Sequence, residues 1–456
     1  MYTRMIIPRS MFRRTFLLVL FIGLETSIGM SQTEGHVVDP VSGIVISLDT
    51  ALRRAQTNEV SFATALAVSR SAQFDRSIAR AGLLPSAIFH NQYLFTEGNG
   101  SNDRIGQTTT SSAPRFIANN AVHEYASLGV VNEMVGLQQF AAVGLADANA
   151  AKAAAGLEIA RRGLILTVVG LYYGLAAAGT KLATTERSLN EATKFLTLTQ
   201  QREEARESAH ADVLKAEIQQ QQRVRDLADA RLAMTKAHLE LGVLLYADPR
   251  TSFQTEAVSP PILPDRADVE VIAATNNVDM KSALASLHAR EAEIKLARAA
   301  YLPDLGLNFT YGVDAPQYAI NGPAKTRNLG YSASATLDIP LWDWLATEHK
   351  VKQSQIRRDV AKVVLSATER RLIADLAEFY DEAKAARDQL ASLDSSAALA
   401  QESLRLTELR YTGGEGSVLE VVDAQNSLVA TENARADGIV RYEVALANLQ
   451  TLTGRF

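Results

Sequence analysis

Two acidic residues on one helical turn are the feature of this chain most typical of a functional site. Glu420 and Asp423 stand three positions apart, a spacing that places two side chains on the same face of a helix. If three copies of the chain surrounded a common axis, these acids would form a ring of carboxylates, which attracts cations and repels anions. The alternative is that both are solvated surface acids on an ordinary helix, and the spacing alone leaves it open.

The rest of the sequence lacks the motifs of an enzyme. The seven histidines are dispersed, and none belongs to a metal-binding spacing such as HExxH. Neither a phosphate-binding GxxxxGK[ST] loop nor a GxSxG nucleophile motif occurs. The chain contains no cysteine, which excludes disulfides and thiolate metal sites. We therefore expect no catalytic residue, no cofactor and no bound metal.

The charge of the chain argues against a nucleic-acid partner. The formal net charge is -5 at pH 7, and no block of basic residues interrupts the sequence. Proteins that bind nucleic acid depend on clustered lysine and arginine to neutralise phosphates. We expect no nucleic-acid partner.

Two long stretches without proline must position the acids. None of the 12 prolines falls between Arg115 and Asp248 or between Leu341 and Phe456. Apolar residues recur there at three and four positions, with charges and glutamines between them, which is the pattern of coiled-coil helices. Residues 163–180 carry no charge and are long enough to span a membrane. The aligned part of the second stretch contains several charges, including Arg371 and Asp375, so burial between helices is the better interpretation.

The chain consists of two copies of one unit. Residues 79–85 match residues 297–303, and Arg202 aligns with Arg410 in a register that continues without a gap. A period of this length predicts a duplicated domain. The expected organisation is a first repeat at 32–248 (a helix, a strand pair at about 86–135, a helical hairpin at 137–247), a linker at 249–266, and a second repeat at 267–456 (a helix, a strand pair at about 304–341, a helical hairpin at 344–454).

The N-terminus is typical of an exported protein. Four arginines precede the apolar run at 16–24, and small residues follow it. This order predicts a signal peptide at 1–31. A membrane anchor is the alternative, although the run is shorter than the ~20 residues that a spanning helix needs. Either interpretation predicts export.

The second strand pair alternates strictly between apolar and small or polar residues. Strands of about 9–11 residues with this pattern fit a transmembrane β-barrel. Its lipid-facing residues would include Leu307, Phe309, Tyr331 and Leu337. A soluble antiparallel sheet with one buried face has the same alternation. The first pair alternates less clearly and is placed by the repeat. Four strands cannot close a barrel, since the smallest have about eight, so the barrel interpretation requires an oligomer.

The turn before the acid pair resembles a known motif. Residues 410–425 read RYTGGEGSVLEVVDAQ, which is similar to the periplasmic tip of the TolC-like outer-membrane efflux proteins. The Leu302-Pro303 entry to the strands, their exit at 339–342 and the duplicated plan resemble that family too. The resemblance implies an α+β membrane protein: a homotrimer with one 12-stranded β-barrel in the outer membrane, four strands per chain, continued by an α-helical coiled-coil tunnel in the periplasm.

The same resemblance implies a duct and its partners. Such proteins dock on a periplasmic adaptor protein and, through it, on an inner-membrane pump, and they open at the helical tips. Glu420 and Asp423 match the acids of the periplasmic gate or selectivity ring, and Tyr411 matches a tyrosine that helps to hold the closed state. The expected adaptor-contacting residues are Gly413, Gly414, Gly416, Ser417, Arg202 and Ser208.

One position departs from the family pattern. A basic residue that pairs with the tip tyrosine is replaced here by Gly416, so the resemblance predicts a lock that is weaker or built differently. The competing function is an exported, soluble coiled-coil structural protein with a non-membrane sheet. Dependence on detergent would distinguish the two. The transported substrate is not encoded in any of these patterns.

Overall fold

The computed structural model describes residues 44–95, 123–256 and 261–454. The expected signal peptide, 1–31, lies outside these ranges. The first half of the chain forms β1 (Ile44–Ile46), α1 (Leu48–Asn58), α2 (Val60–Ala81), β2 (Ser86–Phe95), β3 (His123–Gly136), α3 (Leu137–Glu204) and α4 (His210–Leu245). The second half forms β4 (Phe253–Thr255), α5 (Arg266–Asn276), α6 (Val278–Ala299), β5 (Asp304–Ala315), β6 (Leu329–Asp338), α7 (Ala346–Thr412) and α8 (Val418–Thr453).

The same order of elements therefore occurs twice, and it differs from the sequence interpretation at the start of each half. A short strand, β1 or β4, precedes the helices, and β4 lies inside the expected linker at 249–266. Where a single helix was expected before each Leu-Pro stop, the structure has two. The break lies at Glu59 in the first half, whose carboxylate accepts from the Phe62 amide at 2.6 Å. In the second half the Asn277 side chain accepts from the Met280 amide at 2.9 Å. Both residues act as N-caps, which favour the start of a new helix over continuation of the old one.

The four long strands form one antiparallel sheet in the order β2-β3-β5-β6. Directly paired residues share a face of a sheet. Because Leu305 pairs with Leu337 and Tyr311 pairs with Tyr331, the four residues expected to face lipid lie on one face, here called the apolar face. Their relative exposures run from 41% to 77%, so no described element covers that face.

The opposite face, here called the polar face, carries hydrogen-bonding residues across the strands. The Asn308 amide donates to the Asn132 side chain, and the hydroxyls of Thr310 and Ser332 lie 2.7 Å apart. The division is weaker in the β2–β3 pair, where Glu133 lies on the apolar face opposite Leu307. A sheet with one apolar and one polar face fits lipid on one side and water on the other.

Helix α3 occupies the centre of the helical layer and packs against α2, α4, α6 and α8. It is the one helix, among the described residues, whose length and composition would allow it to span a membrane. Its apolar segment instead contributes Val168, Tyr172 and Leu175 to the core, each at most 2% exposed. The Tyr172 hydroxyl donates to the Ile46 carbonyl at 2.9 Å and accepts from the Glu256 amide at 3.0 Å, so burial between neighbouring elements is the correct interpretation.

Candidate functional site

The two helical hairpins turn at equivalent places. The first tip is defined as residues 205–209, between α3 and α4, and the second tip as residues 413–417, between α7 and α8. A buried apolar cluster joins the hairpins just above the tips and includes Phe195, Leu404, Tyr411, Val418 and Val421. The tips are therefore fixed to each other by residues from both halves of the chain.

Tyr411 anchors the second hairpin to the first. Its side chain is 4% exposed, and its hydroxyl lies 3.3 Å from the Thr199 hydroxyl on α3. Its ring centroid is 5.0 Å from that of Phe195, also on α3. The residue expected to hold a closed state is thus in the interface between the hairpins.

Arg202 completes this contact from the first hairpin. Its guanidinium carbon lies 4.9 Å from the centroid of the Tyr411 ring, and the guanidinium donates to the Tyr411 carbonyl oxygen. The side chain is only 17% exposed. Arg202 was expected at the adaptor surface, and the structure places it against Tyr411. A basic residue of α3 thus contacts the tyrosine, although position 416 of the second tip is glycine.

The three glycines of the second tip have different structural reasons. Gly414 has φ +82°, in the left-handed region that favours glycine. A Cβ atom on Gly416 would lie 2.9 Å from the Tyr411 backbone nitrogen, so a side chain there would displace the last turn of α7. Gly413 has φ -74° and ordinary space for a Cβ atom, and its backbone does not require glycine.

The two acids do not share one environment. The Glu420 carboxylate lies 3.1 Å from the Arg410 guanidinium. Ser417 caps α8 by accepting from the Glu420 amide at 3.3 Å, and its hydroxyl also reaches the Glu420 carboxylate at 3.3 Å. Asp423 is exposed, and no ion pair to it occurs within the described part of the chain. In the first hairpin the equivalent pair is Asp212 and Lys215, whose charged atoms lie 3.4 Å apart.

A buried carboxyl higher in α8 was not found from the sequence. Glu443 is 5% exposed, and burial raises its pKa to about 7 although a hydrogen bond with Tyr173 of α3 lowers it. One carboxylate oxygen, Oε1, has no hydrogen-bond partner within the described residues. The aligned residue of the first hairpin is Thr235. No local pattern distinguishes Glu443 from the many exposed glutamates of these helices.

Across the ranges that the structure covers, no group of three or more histidine, aspartate or glutamate side chains could hold a metal ion. The described residues form a sheet with one apolar and one polar face, whose outer strands are β2 and β6, and long helical hairpins. The second tip is held to the first hairpin by the contact between Tyr411 and Arg202. Together these features define one subunit of an oligomeric membrane channel.

Comparison with known proteins identifies the class of channel. Residues 271–455 match the family model described as "Outer membrane efflux protein". The outer membrane protein OprJ of Pseudomonas aeruginosa is 25% identical over 438 residues, covering 92% of this chain and 87% of that protein. The resemblance to outer membrane efflux proteins that the sequence predicted is confirmed, with the family match confined to residues 271–455.

Solved structures share the fold. The outer membrane protein VceC of Vibrio cholerae superposes with a TM-score of 0.74 at 17% identity, covering 90% of this chain and 96% of that chain. The CmeC outer membrane channel of Campylobacter jejuni gives a TM-score of 0.74 at 15% identity, covering 89% of this chain and 85% of that chain. The expected fold class, four strands per chain for a β-barrel continued by a long α-helical tunnel, is confirmed.

The function expected from the sequence, that of an outer-membrane channel, is also confirmed. The protein is an outer-membrane efflux channel, and its location is the outer membrane. The soluble coiled-coil alternative is not favoured. Members of the family are transport channels.

Proposed function

We propose that this protein is the passive exit duct of a tripartite efflux or secretion system, without catalytic activity of its own. Substrates would pass from an inner-membrane pump through a periplasmic adaptor into the helical tunnel and leave through the barrel. The observation that carries the proposal is the sheet, because its polar face suits a water-filled lumen and its apolar face suits lipid. A passive duct does not select its substrates, so the specificity of the system would come from the pump.

Three copies would close the barrel through the sheet edges. Strands β2 and β6 are the outer strands of the sheet, and an open edge is not stable in lipid. We infer that β6 of one copy pairs with β2 of the next. The helices support this arrangement, because α2 and α7 carry exposed apolar residues, namely Val68, Phe74 and Ile78 on α2 and Ile356, Val360 and Val363 on α7.

Neighbouring residues of β5 provide the test of the barrel. Phe309 lies on the apolar face and Asn308 on the polar face. Phe309→Arg should destabilise the assembled barrel by about 2–4 kcal/mol if the residue lies near mid-membrane, and less trimer should form. Asn308→Arg should assemble and lower the single-channel conductance in planar bilayers, because it narrows the lumen. Equal tolerance at both sites, or a monomer that stays soluble without detergent, would refute the barrel.

We infer that the contact between Arg202 and Tyr411 holds the tip closed. The contact joins the two hairpins across their interface, and separation of the hairpins would widen the tunnel mouth. Arg202→Gln should therefore raise the open probability in planar bilayers. Arg206→Gln is the matched control, because Arg206 is exposed at the first tip. Equal effects of the two substitutions would contradict this lock.

The selectivity ring is proposed to depend mainly on Asp423. Glu420 is already paired with Arg410, so its carboxylate contributes less uncompensated charge to the mouth. Asp423→Asn should reduce cation selectivity in bilayer recordings more than Glu420→Gln does. Asp212→Asn in the first hairpin serves as the control, because Asp212 is paired with Lys215. Unchanged selectivity in the Asp423 variant would mean that Asp423 is a solvated surface acid without a role in ion selectivity.

The adaptor is proposed to contact the two tips, including Gly413, Ser417 and Ser208. The chain has no cysteine, so single-cysteine variants give an unambiguous cross-linking map. Gly413→Cys and Ser208→Cys should cross-link to the adaptor in cells, whereas Thr310→Cys in the barrel lumen should not. Cross-linking of the barrel variant alone would place the adaptor elsewhere.

A further inference from the structure

The sheet ends away from the helices in a cluster of tyrosines. Tyr93 and Tyr125 have ring centroids 4.9 Å apart, and Tyr318 lies 6.2 Å from Tyr125. Tyr93, Tyr125 and Ala315 are aligned across three strands on the apolar face. Tyr318, in the connection between β5 and β6, thus folds back toward that face while remaining 71% exposed. The connection leans over the side that meets lipid.

Charges at this end are separated between the two faces. Glu124 pairs with Leu94, and Asp314 pairs with Ala126, which places both acids on the polar face. The connection contributes two exposed bases, Lys325 and Arg327. Arg327 lies two residues before Leu329 in an extended segment, on the side of the apolar face. Arg327 therefore continues the line of the apolar face, whereas these acids lie on the polar face.

The connection holds its bases in a fixed turn. The Asn328 amide donates to the Ile320 carbonyl at 2.9 Å, and the Asn328 side chain donates to the Ala319 carbonyl at 2.8 Å. The Gly322 amide donates to the Thr326 carbonyl at 2.8 Å. Lys325 has φ +64°, a strained conformation for lysine that persists only where the surroundings impose it. A rigid arrangement loses little conformational entropy when it binds a ligand.

We propose that Lys325, Arg327 and Tyr318, together called the rim patch, bind the phosphorylated glycolipid headgroup of lipopolysaccharide in the outer leaflet. Lysine and arginine bind phosphate through charge-assisted hydrogen bonds, and aromatic rings suit the boundary between lipid chains and headgroups. A lipid source is favoured over free phosphate, because Tyr318 and Arg327 continue the apolar face. This inference rests on the proposed function, which places the sheet in the outer membrane.

The test compares binding of purified lipopolysaccharide to the detergent-solubilised trimer. The variant Lys325→Gln/Arg327→Gln should bind about 30-fold more weakly, which is roughly a fivefold loss of affinity per base. The control Lys152→Gln/Lys350→Gln removes the same charge from exposed sites on α3 and α7 and should bind like the wild-type protein. Wild-type protein should also bind enzymatically dephosphorylated lipopolysaccharide about 30-fold more weakly.

The outcomes separate this inference from the proposed function. Each variant is first recorded in planar bilayers, where channels show that the trimer and barrel have formed. If channels form and the rim variant binds lipopolysaccharide as tightly as the control, the inference is wrong and the duct proposal stands. Equal binding of the dephosphorylated glycolipid by wild-type protein would also overturn it. Competition by millimolar inorganic phosphate as effective as that by the glycolipid would overturn the lipid assignment.

Discussion

The two helical tips have the same backbone and different side chains. Ala205 of the first tip has φ -74° and ψ -3°, and the aligned Gly413 of the second has φ -74° and ψ -5°. The next residues, Arg206 and Gly414, have φ +64° and +82°. Equivalent hydrogen bonds close both turns, from the amides at 207 and 415 to the carbonyls at 202 and 410, at 2.7 and 2.9 Å.

The difference between the tips lies in what their side chains contact. Tyr411 is buried against α3, whereas the aligned Glu203 forms a 2.8 Å hydrogen bond with the exposed His210. Ser417 caps α8, whereas the aligned Ala209 provides no side-chain cap for α4. The left-handed position of the turn thus does not require glycine, since Arg206 adopts the same conformation as Gly414. The second tip therefore differs from the first in two contacts, the burial of Tyr411 against α3 and the cap that Ser417 provides for α8.

The largest difference should appear when the aligned residues Tyr411 and Glu203 are each changed to alanine. Tyr411→Ala removes a buried ring and should cost about 3–5 kcal/mol, as for other large core side chains. It should also raise the open probability, because Arg202 loses the ring it packs against. Glu203→Ala should stay within about 0.5 kcal/mol. The measurements are thermal dissociation of the trimer and bilayer recording.

Two outcomes would break this part of the comparison. Equal losses at Tyr411 and Glu203 would show that both tips are fixed equally. A destabilised trimer with unchanged open probability would show that Tyr411 serves packing without a role in closure. Tyr411→Phe separates the contributions, because it keeps the ring and removes the hydroxyl near Thr199.

The second difference lies higher in the hairpins, at Glu443 and the aligned Thr235. The pKa of Glu443 is raised to about 7 in the folded protein. The contribution of this carboxyl to stability is therefore fully present below the unfolded pKa of about 4.3 and is lost as pH rises from 4.3 through 7. A shift of this size corresponds to about 3–4 kcal/mol. The wild-type trimer should therefore melt at a lower temperature at pH 8 than at pH 5.

The Glu443 variant isolates this contribution from other acids. Burial also raises the pKa values of Glu191 and Glu408, which add pH dependence of the same sign. Glu443→Gln should flatten the profile between pH 5 and 8 without abolishing it, and Thr235→Val should leave it unchanged. A profile in Glu443→Gln identical to that of the wild type would assign the pH dependence elsewhere.

A smaller effect is expected from exchanging residues at the left-handed position. Gly414→Val places a β-branched residue at positive φ, at a cost of about 1–3 kcal/mol. Arg206→Gly relieves the same conformation in the first tip and should stabilise that turn by about 1 kcal/mol. Thermal melting of the two variants should therefore shift in opposite directions. A shift of the same sign would show that the two turns differ in backbone strain.

Gly414→Val should abolish export in cells while leaving the trimer intact, if the second tip is the adaptor contact. Loss of the trimer would instead assign the glycine to folding alone. Gly413→Ala is the matched control, because that residue has φ -74° and space for a Cβ atom.

The elements that sequence alone predicted are those with local signals. Proline-free stretches with apolar residues at three and four positions predicted the long helices, and strict alternation predicted β5 and β6. The turn before Ser417 followed from glycine and capping chemistry. Each of these depends on residues within a few positions of one another, so a single sequence carries enough information.

The contacts that sequence could not predict join distant residues. Arg202 and Tyr411 are separated by 209 positions, and neither residue type is unusual near a helix end. Arg202 aligns with Arg410 in the repeat, yet Arg202 binds the tyrosine and Arg410 pairs with Glu420. A repeat predicts the shared backbone, and it does not predict which copy of a residue turns inward.

The smallest expected difference concerns the N-caps of α4 and α8. Ser417→Ala removes the hydroxyl that accepts from the Glu420 amide and should cost about 1 kcal/mol. Ala209→Ser offers the same cap to the first tip, whose N-cap has φ -79° and ψ 146° against -98° and 156° at Ser417, so it should gain a similar amount. The double variant should melt close to the wild type, because the two caps bond to different helices and the changes are opposite in sign. Destabilisation by Ala209→Ser would mean that the first tip must remain free to fray, and the shared backbone would then conceal a difference in dynamics between the two tips.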